Sequence, residues 1–150
     1  MIAYPDTSFL CAFYRLQTHS DLAAAYFKKM SEPLHVGSLL LYEFRQSLRW
    51  QEFLYSKDRS KGFDQATGMT ALATIQSDLA SGAVVIVPVD WSDVHNIAER
   101  LSAQYTPREG HRSFDVLHVA TALHLGTKEF LTFDGNQKKL AKAEGLKVPL

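Results

Sequence analysis

Residues 112–134, RSFDVLHVATALHLGTKEFLTFD, hold most of an α/β unit in one stretch. Ser113 stands where a capping hydroxyl is expected, the following residues to Leu125 read as a helix, and Gly126 closes it. Phe130–Phe133 then reads as a strand, and Asp134–Gly135 is a common turn pair. A helix that leads directly into a strand of a layered sheet runs antiparallel to it. Its first turn, which carries Asp115, therefore returns to the edge where the strand ends and Asp134 begins. The connection alone brings two acids together.

The same alternation continues outward from this unit. Met1–Pro5 is a short strand stopped by Pro5, which has no N–H to donate. Ser8 to about Tyr14 and Ser20–Met30 read as helices, the second with Leu22, Tyr26 or Phe27, and Met30 on one face. Leu34–Ser38 is a strand, and Leu39 to about Tyr55 a helix with an apolar stripe of Leu41, Phe44, Leu48 and Phe53. Lys57–Lys61 is a charged break. Asp64 caps a helix to Ser81 that Gly82 ends, and Val84–Val87 is a β-branched strand stopped by Pro88. Ser92–Tyr105 is helical through Val94, Ile97 and Leu101, and Thr106–Arg112, with Pro107 and Gly110, is expected to be a loop. Beyond Asp134 follow a helix at Asn136–Glu144 and a last short strand at Leu146–Val148. Strands alternating with helices in this way predict an α/β fold: one domain over residues 1–150, a mainly parallel sheet with helices on both faces.

Composition sets the outer bounds. The 150 residues are 46% hydrophobic and 21% charged, which is the balance of a globular chain rather than a disordered or fibrous one. A single cysteine, Cys11, excludes an internal disulfide and a cysteine-based zinc cluster. No run nears the roughly 18 apolar residues of a membrane span, and MIAYPDTSFL lacks the basic start of a signal peptide, so a cytoplasmic protein is expected. The net charge of zero argues against coating nucleic acid by bulk attraction. It leaves room for an acidic pocket rimmed by Lys and Arg.

In an open parallel sheet the functional crevice lies beyond the carboxyl ends of the strands. Asp6 follows the first strand, Asp134 follows the Phe130 strand, Glu43 lies about one turn into the helix after Leu34–Ser38, and Asp115 returns as described. Converging carboxylates repel unless a cation joins them. Oxygen-only ligands select Mg²⁺ or Mn²⁺, and such an ion serves phosphodiester hydrolysis. The six histidines offer no H-E-x-x-H and no i, i+4 pair. Each acid also has a plainer reading: Asp6 as a helix cap, Asp115 as a complement to the helix dipole, Asp134 as a turn residue. Glu43, between Tyr42 and Phe44, needs solvent or a partner.

These segments resemble a known family. PDTSFL at 5–10, SLLLYEF at 38–44, RSFDVLHVATAL at 112–123 and FLTFDGNQKKLAKAEGL at 130–146 are similar, in order, to the four acidic motifs of PIN domains, above all the VapC-type toxins of prokaryotic toxin–antitoxin pairs. The resemblance implies a three-layer α/β/α sandwich and a metal-dependent endoribonuclease acting on RNA. It also implies a homodimer and a small antitoxin protein as partner. Carried over by position, the ligand acids are Asp6, Glu43, Asp115 and Asp134. The hydroxyl residues beside the substrate are Thr7 or Ser8 and Ser38, and Thr132 completes a Thr-x-Asp arrangement.

Other residues divide between two readings. Arg112 can reach a scissile phosphate or be a solvated loop residue. His118 reads as a core histidine before a proton relay, Cys11 as packing, and Leu22, Tyr26 and Phe27 as core before dimer surface. Lys57, Arg59 and Lys61 are either a grip on RNA backbone or a solvated loop. The rival functions are a housekeeping RNase or DNA nuclease with the same acids, a catalytically silent scaffold that binds a protein, and a Mg²⁺ phosphatase. The phosphatase usually wants a second Asp two residues after the first, where this chain has Ser8.

Overall fold

The computed structural model describes all 150 residues. The chain runs β1 (Ala3–Pro5), α1 (Thr7–Tyr14), α2 (Ser20–Lys29), β2 (Leu34–Val36), α3 (Ser38–Lys57), α4 (Gln65–Ser81), β3 (Val84–Ile86), α5 (Trp91–Glu109), α6 (Ser113–His124), β4 (Glu129–Leu131) and α7 (Gly135–Ala143). Every strand pairing is parallel. Ala3 to Pro5 pair with Glu129 to Leu131, and Leu34 to Val36 pair with Val84 to Ile86. The two ribbons meet where β1 packs beside β2 without a ladder between them. There the Gly37 N–H donates to the Tyr4 hydroxyl at 3.2 Å, and a Cβ at position 37 would stand 2.8 Å from that oxygen. Only glycine lets the chain turn from β2 into α3 this close to β1.

Helices α1 to α4 contact one another, as do α5 to α7, and β1 touches α1 from the first group and α6 from the second. This is the expected three-layer α/β/α arrangement. Tyr4, Phe9, Leu34, Phe44, Phe130 and Leu131 are fully buried between the layers. Truncating an aromatic of this kind, such as Phe130→Ala, costs about 3–5 kcal/mol. No helix is long and apolar enough to cross a membrane.

The structure corrects several boundaries. The expected loop over Thr106–Arg112 is mostly helix: α5 continues through Pro107 to Glu109. Proline removes one hydrogen bond, to the carbonyl of Ala103, but both residues are exposed and only the last turn is affected. Gly110, at φ 71°, ends the helix, its N–H donating to the Thr106 carbonyl at 2.8 Å. The cap of α6 is Arg112, not Ser113, which is the first helical residue. The last strand shrinks to a single bridge between Glu129 and Lys147. Leu22 and Phe53, expected on apolar faces, are exposed, whereas Leu41, Phe44 and Leu48 are buried. Apolar periodicity marks a face, and here both faces ran one residue past the covering layer.

Candidate active site

Asp6 leaves β1 and caps α1. Its Oδ1 accepts from the Phe9 N–H at 2.9 Å and the Ser8 hydroxyl at 2.6 Å. Its Oδ2 accepts from the Thr132 hydroxyl at 2.6 Å and the Gln137 amide at 2.8 Å. The residue has no solvent contact. Burial pushes the carboxyl pKa up, and the Ser8, Thr132 and Phe9 hydrogen bonds with the charge of His118 only partly offset this.

The turn after β4 is stitched to the start of α1. Thr132 Oγ1 accepts the Asp134 N–H at 2.9 Å, and Ser8 Oγ accepts the Phe133 N–H at 2.8 Å. Asp134 caps α7, with Oδ1 accepting the N–H groups of Asn136 and Gln137, each at 2.9 Å. The cap uses one oxygen. The other, Oδ2, lies 3.8 Å from Nη2 of Arg112. The plain reading of Asp134 as a structural turn and its reading as a site acid are therefore compatible.

Arg112 spans the mouth. Its Nε donates to Asp115 Oδ2 at 2.9 Å in the first turn of α6, while its own side chain is 77% exposed. The Asp115 hydrogen bond first, then the charges of Asp115, Asp134 and Glu43, hold the guanidinium pKa above its usual value. One cation thus feels three of the four acids.

Glu43, in the second turn of α3, completes the edge. It accepts hydrogen bonds from the Thr7 hydroxyl and from Nε2 of His118. Burial alone would raise its pKa, but the His118 and Thr7 bonds and the charges of His118 and Arg112 leave it lowered. A carboxylate only accepts, so Nε2 of His118 carries the proton. His118 is buried, with Nδ1 unpaired. It is a core histidine whose polar edge holds Glu43.

The expected residues Asp6, Thr7, Ser8, Glu43, Arg112, Asp115 and Asp134 are linked by hydrogen bonds or charge contacts at this edge. Ser38 sits exposed at the start of α3, with no cap bond from its neighbour. Two residues of the network escaped sequence reasoning in this role, His118 and Gln137. His118 is three residues after Asp115 and so shares its helical face. Gln137 is three after Asp134, the spacing of a capping box, though its side chain goes to Asp6 instead. A cavity of about 180 Å³ near Ile2, Tyr26 and Met30 lies at the opposite end of β1, away from the acids.

The donor set is oxygen-only, the chemistry that suits a hard divalent ion. The guanidinium already lying across Asp115 and Asp134 marks the mouth as a place for positive charge. As they stand, no three His, Cys, Asp or Glu side chains form a ready cage, since Arg112 and the four donors to Asp6 take up the oxygens. The residues fit such an ion in kind, once Arg112 moves aside.

Fold and site together define a PIN-type α/β protein, and the chain belongs to the PIN domain family, whose profile matches residues 3–143. Among solved structures it is similar to VapC20 of Mycobacterium tuberculosis, described as a toxin that cleaves the sarcin-ricin loop. The identity is 16% and the TM-score 0.69, over 97% of this chain and 96% of that one. FitAcB of Neisseria gonorrhoeae matches at 15% identity and TM-score 0.60, over 99% and 96% of the two chains. PAE2754 of Pyrobaculum aerophilum matches at 17% and 0.59, over 99% and 89%. Comparison with curated protein sequences gives no significant match.

Proposed function

We propose that this chain is a Mg²⁺- or Mn²⁺-dependent endoribonuclease, the toxin of a toxin–antitoxin pair, cutting single-stranded or looped RNA. The observation that carries this reading is Arg112, an exposed guanidinium lying across Asp115 and Asp134 at the open end of an acidic edge. VapC20, with the same fold, is described as a toxin that cleaves the sarcin-ricin loop.

Asp115, Asp134, Glu43 and Asp6 would hold the ion. A divalent ion supplies Lewis acidity toward a phosphoryl oxygen and makes water more acidic. Arg112 exchanges its acids for the scissile phosphate, which its fork suits. Thr7 and Ser8 serve the substrate indirectly, by holding Glu43 and Asp6 in place. Ser38 is free to meet the RNA. His118 orients Glu43 and is committed to it, and no lysine joins this network, so the edge provides no base for the 2′-hydroxyl. Water is then the nucleophile, and the products carry 5′-phosphate and 3′-hydroxyl ends. The same reading includes a cytoplasmic homodimer restrained by a small antitoxin.

Incubation with single-stranded RNA in Mg²⁺, Mn²⁺ or EDTA tests the chemistry, with end-group analysis of the products. Cleavage that needs the ion, vanishes in Asp115→Asn and leaves 5′-phosphates supports the reading. Cyclic phosphate ends, or full activity in EDTA, overturn it. Induced expression tests the toxin role: growth should arrest with the native chain and continue with Asp115→Asn.

A further inference from the structure

On the far side of the α6 N-terminus from the acids, α5 and α6 part to form a cavity of about 310 Å³. Its lining includes Glu99, Ser102, Thr106 and His111, with Val116 and Leu117 as an apolar wall. Two buried polar atoms of that lining, His111 Nδ1 and Thr106 Oγ1, have no hydrogen-bond partner. The His111 ring has no exposed surface and is anchored by Nε2 to Glu109 at 2.8 Å. Buried polar groups are nearly always paired. Two unpaired atoms in one cavity, beside an apolar wall, suit a flat heterocycle with a polar edge. The volume is at the low end of ligand pockets, which run from about 300 to 1,000 Å³, so one such ring is the right scale.

Position links this cavity to the acids. His111 and Ser113 line it, and Arg112 between them holds Asp115 and Asp134. No side chain caps the first turn of α6, so its leading N–H groups are left for water or a phosphate. A strand of RNA crossing this helix end would place a phosphate near Arg112 and a base in the cavity.

We propose that the α5–α6 cavity is a base-binding subsite for a nucleotide beside the cut, read by Thr106, His111 and Glu99, with preference for a base bearing an exocyclic amine over uracil. The preference follows from Glu99, whose carboxylate accepts hydrogen bonds and repels a bare carbonyl. The inference rests on the ribonuclease reading of the acids.

Its test uses single-stranded RNAs that differ at one position near the cut, with the native chain, Glu99→Ala and Thr106→Val. Glu99 is exposed and Thr106→Val keeps the side-chain shape, so both variants are expected to fold. At one position the native chain should favour amine-bearing bases over uracil about tenfold in kcat/KM, and each variant should cut that ratio to about twofold. Cleavage with no positional preference, or with a preference that both variants keep, overturns the subsite and leaves the ribonuclease reading intact. Binding of the same RNAs in EDTA, followed by fluorescence anisotropy, separates the converse. A base preference in binding that the variants lose, with nothing cut when Mn²⁺ is added, keeps the subsite and overturns the ribonuclease reading. A cavity that serves only to hold water, or the face of a second copy, shows as equal binding of all bases by all three proteins, which overturns the subsite.

Discussion

At the start of α1, Asp6 sits without solvent contact under four neutral donors; at the start of α6, Asp115 meets one guanidinium whose side chain is largely exposed. Both acids stand at helix starts on one edge of the fold. The donors around Asp6 come from α1, the loop after β4 and α7, so they cannot leave without separating those elements. Arg112 is a long side chain at the surface, and it can leave by rotation. The floor of the site is therefore part of the fold, and its mouth is built for exchange.

The largest effect should come from breaking the floor. Asp6→Ala leaves the Phe9 N–H and the Gln137 amide without their acceptor and should cost about 2–4 kcal/mol in urea unfolding. Asp115→Asn should cost less than about 1 kcal/mol, because its partner is exposed. Both should lose cleavage. If the two variants are equally stable, the distinction between floor and mouth is wrong.

Removing the exchangeable cation should act next. Arg112→Gln takes away a competitor for Asp115 and Asp134, so Mn²⁺ should bind about tenfold more tightly, the equivalent of ~1.4 kcal/mol. Mn²⁺ would then raise Tm at lower concentration than in the native chain, while RNA cleavage falls. Unchanged or weaker Mn²⁺ binding would show that Arg112 does not stand in the ion's place.

The pH dependence of stability in EDTA sharpens the contrast within the floor, because Asp6 and Glu43 shift in opposite directions. The native pKa of Asp6 is raised above 3.8, so the folded chain holds more protons than the unfolded one in the window above that value. Stability from this group is full below 3.8 and is lost as pH rises through the native value. Glu43 is lowered from 4.5, so its contribution is present above 4.5 and is lost as pH falls through the native value. Urea midpoints between about pH 3 and pH 7 should show Asp6→Asn losing the first slope and Glu43→Gln the second. Identical profiles would mean that neither shift survives in solution.

The smallest effect is a control away from the edge. Arg100 forms a two-bond pair with Glu144, at 3.1 and 2.6 Å, on a half-exposed side chain. Arg100→Gln should cost no more than about 1 kcal/mol and leave the Mn²⁺ titration unchanged. A shift in ion affinity there would mean that any lost positive charge has the same result, whatever its place.

Much of this arrangement is legible in the chain itself. Pro5 stops β1 just before Asp6, and the helix–strand connection over 112–134 puts Asp115 beside Asp134 with no further information. The expected helix end at Tyr105 failed because proline costs least in a last turn, and packing of α5 along α6 carries the helix on. Periodicity also overstated the buried stripes at Leu22 and Phe53, since it cannot tell how far the covering layer extends.

What the sequence by itself determined is which acids arrive at the carboxyl edge. Chain direction is dictated by the strand–helix alternation, and direction alone decides the end at which a residue emerges. What only the tertiary structure decided is who meets whom there: His118 with Glu43, Gln137 beneath Asp6, Arg112 across Asp115 and Asp134. Hydrophobic pattern reports that a face is buried, but not which polar group lies opposite. That depends on how the layers are stacked, and for Glu43 the partner lies 75 residues away along the chain.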